Sequence, residues 1–184
     1  MAITLQRTTQ RTTEEAFLRL SNDGHKYELV NGEVREMPAG HEHDAIGFRV
    51  GFLLMPFTRG RGILAGAQAG FRMNTGNIRS PDVAFTRKER LQDGKPSKGF
   101  EPFAPDLCIE IISSSEERAE IVQKVQEYFA SGAEQVWHLY PETKTARIFL
   151  SPFDSTTYAP GDEIDAGTLL PGFRCVVADL FNLE

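Results

Sequence analysis

The six residues Leu107-Cys108-Ile109-Glu110-Ile111-Ile112 form an almost continuous apolar run, and they constrain the fold more than any other stretch. A strand with one wet face alternates apolar and polar side chains, whereas one covered on both faces is apolar throughout. Successive side chains point to opposite sides, so Cys108, Glu110 and Ile112 share one face and Leu107, Ile109 and Ile111 the other. Structure must therefore lie on both sides of this strand. Ser113-Ser114-Ser115 follows, with Glu116 and Glu117 placed to complete a capping box. A helix then runs to about Ser131, with Ile121, Val125 and Phe129 on one face and Gly132 as its stop. Residues 135–140 resume as a strand, and residues 145–150 follow after the turn Pro141-Glu142-Thr143-Lys144. Strand, helix and strand with short connections make a crossover unit, which pairs its strands in parallel with a right-handed connection.

The rest of the chain supplies the layers around this unit. Thr12 and Glu15 make a capping box for a short helix that stops at Ser21-Asn22-Asp23-Gly24, after a polar, Thr-rich start expected to be frayed over residues 1–11. Asn31-Gly32 between Tyr27-Glu28-Leu29-Val30 and Glu33-Val34-Arg35-Glu36-Met37 reads as a hairpin turn, because both turn residues must tolerate positive φ. From 43 to 57, Ile46, Val50, Leu53, Leu54 and Phe57 recur at helical spacing until Gly60-Arg61-Gly62 breaks the pattern. Residues 63–73 read as one or two strands, Pro81-Asp82-Val83-Ala84-Phe85 as another, and 86–105 as an exposed polar loop. The tail, with Gly161 and Pro171-Gly172, gives short strands and a final helical turn. The fold class is a mixed α/β (α+β) sheet with helices on it, in one domain spanning residues 1–184.

A chain of 184 residues buries roughly 70% of its unfolded surface and needs no disulfide or structural metal. With 40% hydrophobic and 25% charged residues, it is neither a disordered, a collagen-like nor a coiled-coil sequence. The sequence has no apolar run of membrane-spanning length and no signal-peptide pattern, so a cytoplasmic location is expected. Cys108 and Cys175 lie in apolar surroundings and read as small core residues. Against 26 acidic residues stand 20 Lys and Arg, a formal charge of −6, so the chain has no general attraction to nucleic acid. A nucleic-acid partner would need a local basic stretch or a metal ion.

Several residues stand out chemically. Glu110 in its apolar strand must be paired, protonated or bound to a metal. Asp82 opens a strand, where an aspartate either caps a turn or presents its carboxylate to a site. Glu28 is either a solvated strand residue or an inward acid. His43 falls in register with Ile46 and Val50, as a hydrogen-bonded boundary histidine or a ligand. His41 and His43 make only a fragment of a zinc motif, and His25 and His138 are isolated. Lys124 borders the apolar stripe of its helix, with its ammonium either in water or turned toward the sheet.

Taken in order, Asp82 at a strand start, Glu110 in a buried strand and Lys124 on the next helix resemble the PD-(D/E)XK nuclease superfamily. More closely, the chain is similar to the bacterial family called domain of unknown function 820, a set of restriction-endonuclease-like proteins. The resemblance runs through Tyr27–Glu33, His43, Ser80-Pro81-Asp82-Val83, the stretch from Pro105 to Ser115, Lys124 with Tyr128, Gly132, Trp137 and Leu170-Pro171-Gly172-Phe173. It implies a mixed β-sheet core flanked by helices, an N-terminal hairpin and C-terminal short strands. It also implies hydrolysis of phosphodiester bonds, with DNA as partner and Mg²⁺ or Mn²⁺ held by Asp82, Glu110 and the Ile111 carbonyl. Glu28 would complete the metal shell directly or through water, His43 would orient a ligand or phosphate, and Lys124 would assist attack. The superfamily's usual lysine two residues after the glutamate is replaced here by Ile112, and Lys124 stands in for it from the following helix. Arg59, Arg61, Arg72, Arg79, Arg87, Lys88, Arg90, Lys95 and Lys98 are candidates to follow a nucleic-acid backbone, and a homodimer is expected. The alternative is a binding or assembly module that keeps the fold without cleaving anything.

Overall fold

The computed structural model describes residues 12–20, 25–37, 40–114 and 116–184. The expected frayed start, the first helix's Ser21–Gly24 stop and Ser115 lie outside these residues. Helix α1 (Glu14–Leu20) leads into a hairpin of β1 (Tyr27–Val30) and β2 (Glu33–Glu36), whose turn residues Asn31 and Gly32 have φ of 54° and 84°. Helix α2 (His41–Thr58) is followed by β3 (Gly62–Gly66), β4 (Phe71–Arg72), β5 (Ile78–Arg79) and β6 (Val83–Arg87). Strand β7 (Leu107–Ile111), helix α3 (Arg118–Ala130) and strand β8 (Gln135–Tyr140) form the crossover unit. Strands β9 (Thr145–Ser151), β10 (Asp154–Tyr158), β11 (Glu163–Asp165) and β12 (Arg174–Val176) complete the chain with a 3₁₀ turn at Val177–Phe181.

The main sheet has the order β10-β9-β8-β7-β6-β3, and β7 lies at its centre. Only β7 and β8 run parallel; the other neighbours are antiparallel. The alternation in the apolar run decides which helix covers which face. Leu107, Ile109 and Ile111 join a buried cluster with Ile46, Val50 and Leu54 of α2, and Trp137 and Leu139 of β8 add to it. Cys108 joins Val125 and Tyr128 of α3, with Val136 and Phe149. A smaller sheet, β2-β1-β5-β4, stands beside the core and carries the first hairpin. The mixed sheet between helices that the sequence led us to expect is the fold observed.

Local details depart from expectation for identifiable reasons. The cap of α1 is Thr13, whose Oγ1 accepts from Ala16 N at 3.3 Å, while Glu15 turns to Arg19 at 2.6 Å. Helix α3 starts only at Arg118, and Glu117 caps it without a side-chain bond. Glu116 instead accepts from Ser113 N at 2.9 Å, which tightens the turn leaving β7. The inward side of α3 carries Lys124, Val125, Glu127 and Tyr128, whereas Ile121 and Phe129 are half-buried. Strand β5 was not expected, since two residues in a polar stretch carry no periodicity. Its place is fixed by Ile78 pairing with Leu29 and by Asn77 Oδ1 accepting from Asn31 N at 2.8 Å. The stretch 86–105 is not simply an exposed loop: Thr86 and Arg87 continue β6 against β3, and Leu91 and Ala104 are buried.

Gly62 marks the tightest backbone approach in the main sheet. A Cβ there would lie 2.1 Å from the Thr86 carbonyl oxygen and 2.9 Å from Arg87 Cα, so β3 could not keep its register. Gly66, on the same strand, has open space around it. Gly62→Ala is therefore expected to cost about 1–3 kcal/mol in urea unfolding, while Gly66→Ala leaves the midpoint within the scatter of surface substitutions.

Candidate active site

The site forms where β1, β5, β7 and α3 meet beside the start of β6, and Glu28, Arg79, Asp82, Glu110, Lys124 and Glu127 are buried there. Glu28 projects from β1 and is fully buried. Its Oε2 accepts from the Arg79 guanidinium at 2.8 Å and its Oε1 from Ser80 N at 3.1 Å. Arg79, at the end of β5, spans to Glu127 of α3 at 2.7 Å. Glu127 also accepts from Asn77 Nδ2 at 2.7 Å. This polar cluster fixes the small sheet to α3 and leaves no room for Glu28 to be a solvated strand residue.

Asp82 sits just before β6, and its 5% exposure rules out a surface turn cap. Its Oδ2 accepts from the amide of Ile111, the residue after Glu110, at 2.8 Å. Its Oδ1 lies 2.7 Å from the Lys26 ammonium. His43 reaches in from the first turn of α2, with Nε2 at 2.9 Å from the Ile111 carbonyl oxygen and 3.3 Å from Asp82 Oδ2. Two acceptors facing Nε2 mean that this nitrogen carries the proton. The helix begins at His41, two residues earlier than expected, and His41 is exposed.

Glu110 is 3% exposed on the face of β7 covered by α3. Tyr128 donates its hydroxyl to Glu110 Oε1 at 2.5 Å, and the Lys124 ammonium lies 3.5 Å from Oε2. Lys124 Nζ is also 3.7 Å from Glu28 Oε1. Lys124 is therefore not a stem with its charge in water; it is 2% exposed, with its ammonium between two carboxylates.

The electrostatics follow from this layout. Burial alone would raise the Asp82 pKa, but the hydrogen bond from His43 and the Lys26 charge hold it well below the usual carboxylate range. Burial raises that of Glu110, and the Lys124 charge offsets this only in part. Burial works against the Lys124 ammonium, yet the Glu110 and Glu28 carboxylates outweigh it and push its pKa up. The hydrogen bond to Asp82 raises that of His43. Since Asp82 ionises more readily in the folded chain, its stabilisation is complete above about pH 4 and fades as the pH falls through its lower folded value. In EDTA, the stability difference between the native chain and Asp82→Asn is expected to be largest near pH 6 and to shrink toward pH 3, measured by urea unfolding.

The sequence signalled Asp82, Glu110, Lys124, Glu28 and His43; Lys124 contacts Glu110 and Glu28, while Asp82 and His43 meet on the main chain of the next residue, Ile111. It missed Lys26, Arg79, Glu127 and Tyr128 as members of the site. Tyr128 and Glu127 follow Lys124 by four and three residues, a helical spacing that places them on one face. Nothing in the sequence signals that Lys26 or Arg79 turns inward. Arg79 is moreover buried away from any basic track, while Arg72 is paired with Glu14, Arg87 with Glu134, and Arg90 lies 3.2 Å from Asp106. Arg59, Arg61, Lys88, Lys95 and Lys98 remain exposed.

Three oxygen donors, on Asp82, Glu110 and the Ile111 carbonyl, are of the type that hard divalent cations take. The Lys26 ammonium already lies against Asp82, and its charge also acts on Glu110. Glu28 is the most enclosed of the three acids, with its oxygens on Arg79 and Ser80; those of Asp82 and Glu110 are paired in turn with Lys26, the Ile111 amide, Tyr128 and Lys124. Among the described residues, no three His, Cys, Asp or Glu side chains converge as a metal-holding group, so a donor set here would need the main-chain carbonyl beside the two carboxylates.

The sequence profile of the Uma2 family, described as "Putative restriction endonuclease", matches residues 14–178. The chain belongs to the Uma2 family. A crystal structure of "a putative nuclease belonging to DUF820" from Anabaena variabilis has the same fold, with a TM-score of 0.79 at 17% identity, covering 93% of this chain and 98% of that one. No curated protein matches. The Uma2 match takes in every site residue from Lys26 to Tyr128. None of the described helices is long and apolar enough to cross a membrane.

Proposed function

We propose that the chain is a divalent-metal-dependent nuclease that hydrolyses phosphodiester bonds, with DNA as its substrate. The observation that carries this reading is the buried Lys124 ammonium beside Glu110, with Asp82 bound to the next amide along β7. A structural salt bridge needs one carboxylate. Here two lysines and a histidine gather around carboxylates that belong to three different strands or strand ends.

Asp82, Glu110 and the Ile111 carbonyl would hold Mg²⁺ or Mn²⁺, which when bound supplies charge neutralisation at the phosphate and a more acidic water. The chain's own groups do the rest. Lys124, kept charged by Glu110 and Glu28, offers N–H donors to an attacking water or a phosphoryl oxygen. Tyr128 fixes the Glu110 carboxylate by bonding one oxygen, leaving Oε2 as the oxygen nearer the ammonium. His43 holds the Ile111 carbonyl and Asp82 together, so it positions two donors at once. Glu28 acts through Lys124, as its counter-charge. Pairing of two copies, one for each strand of a duplex, is part of the proposal, and light scattering of the purified chain reads it.

The test is incubation of supercoiled plasmid, single-stranded DNA and RNA with the purified chain in Mg²⁺ or Mn²⁺. Cleavage that EDTA stops supports the reading, and its confinement to RNA would correct the substrate. One observation favours the alternative of a non-cleaving binding module: Lys26, Arg79 and Lys124 already pair the carboxylates. Intact substrates in every metal, with DNA still retained in a gel-shift assay, would establish that module instead.

A further inference from the structure

A cavity of about 520 Å³ lies between the first half of α3 and the strands β8 and β9, on the face of the sheet that also carries Glu110. Its size falls within the roughly 300–1,000 Å³ of small-molecule sites. At its floor is His138, which pairs in register with Glu110 across β7 and β8. His138 is 1% exposed, and both of its ring nitrogens are buried without a hydrogen-bond partner among the described residues. Buried polar side chains almost always have partners, so an imidazole without one beside a cavity calls for a water, an ion or a ligand group to complete it. A neutral imidazole offers one N–H and one lone pair to such a partner.

The walls limit what that ligand can be. Ile121 and Val125 of α3 line the cavity together with Phe149, which packs on His138 at 4.8 Å between centroids. A flat heteroaromatic group suits a slot walled by aliphatic and aromatic side chains, as stacked bases do elsewhere. The rim carries Arg118 and Arg147, the latter with its guanidinium 4.9 Å from the Phe149 centroid. Guanidinium groups are matched to phosphate oxygens. The rim also carries Glu142, an acceptor suited to a sugar hydroxyl, so a bare inorganic anion fits less well than a nucleotide.

We infer that this cavity binds one nucleotide, with the base against the apolar side chains of α3 and Phe149 and the phosphate at Arg118 and Arg147. Ile112 and Ser113 line it as the chain leaves β7, so the pocket adjoins the site of Glu110. The nucleotide is either an unstacked residue of a nucleic-acid strand or a free mononucleotide. Only the first source rests on the nuclease reading.

The experiment is calorimetric titration of the four 5′-ribonucleoside monophosphates, and of a single-stranded oligonucleotide as competitor, into the full chain without metal. At least one mononucleotide is expected to bind in the submillimolar range, tenfold or more above its nucleoside. His138→Phe fills the floor and is expected to weaken binding at least tenfold. Because that buried substitution can disturb folding, Val122→Trp is the second variant: Val122 lines the cavity and is 51% exposed. It too is expected to abolish mononucleotide binding. Competition by the oligonucleotide assigns the pocket to a strand, and its absence beside mononucleotide binding assigns it to a free nucleotide; both support the inference. Binding unchanged in folded Val122→Trp, or no binding of any mononucleotide or oligonucleotide to the native chain, overturns it. Mn²⁺ binding by Val122→Trp should equal that of the native chain, so failure here leaves the metal site untouched.

Discussion

Glu110→Gln is expected to reduce metal-dependent cleavage by roughly 10³-fold or more while the chain stays folded. The amide keeps the volume of the carboxylate and still accepts from Tyr128, so the packing of β7 against α3 persists. What goes is the negative charge, one of the two acidic donors and half of the counter-charge at Lys124. Lys124→Met should cut cleavage strongly while retaining metal binding, because Lys124 is not among the oxygen donors. The check is the initial rate of plasmid nicking at saturating Mn²⁺, with circular dichroism to confirm the fold. A Glu110→Gln chain that cleaves within tenfold of the native rate contradicts the assignment of this residue.

Arg79→Met carries the largest expected loss of stability, about 3–5 kcal/mol at neutral pH. The guanidinium is fully buried and bonds Glu28 and Glu127, both of which are also buried. Methionine fills much of the space but strands two carboxylates in a poorly solvated site, where an unpaired charge is far more costly than an absent pair. For a chain of this size the loss corresponds to a fall in Tm of roughly 6–20 °C. Adding Glu28→Gln and Glu127→Gln to Arg79→Met should recover part of it, since the uncompensated charges are then gone. A single-variant loss below 1 kcal/mol in urea unfolding would mean that water or a neighbouring cation replaces the guanidinium.

How much of this was legible in the sequence depends on the range of the interaction. The run 107–112 disclosed a central strand with two covered faces, and Asn31-Gly32 disclosed its turn, because both signals act between near neighbours. The crossover through α3 followed from chain connectivity alone. The inward face of α3 was read correctly at Val125 only, as apolar periodicity adds Ile121 and Phe129 while the helix turns Lys124, Glu127 and Tyr128 toward the sheet. Charge buried against charge has no hydrophobic signature, so only the residues' order along the chain hinted at it. Arg79 and Lys26 were not legible as site residues, since their partners lie 48 to 56 residues away and β5 has only two residues to announce it. The pairing of Arg72 and Arg87 was hidden for the same reason, since their acids are distant in sequence.

The most direct test of the metal site is calorimetric titration of Mn²⁺ into the native chain and into Glu110→Ala, since it requires no knowledge of the substrate. Micromolar-range binding at one site in the native chain, absent in Glu110→Ala and weakened in Asp82→Asn, is the predicted result. No binding to the native chain, with or without a non-cleavable phosphorothioate oligonucleotide present, would contradict the account and leave Asp82, Glu110 and Lys124 as a buried ion-pair network that holds the fold.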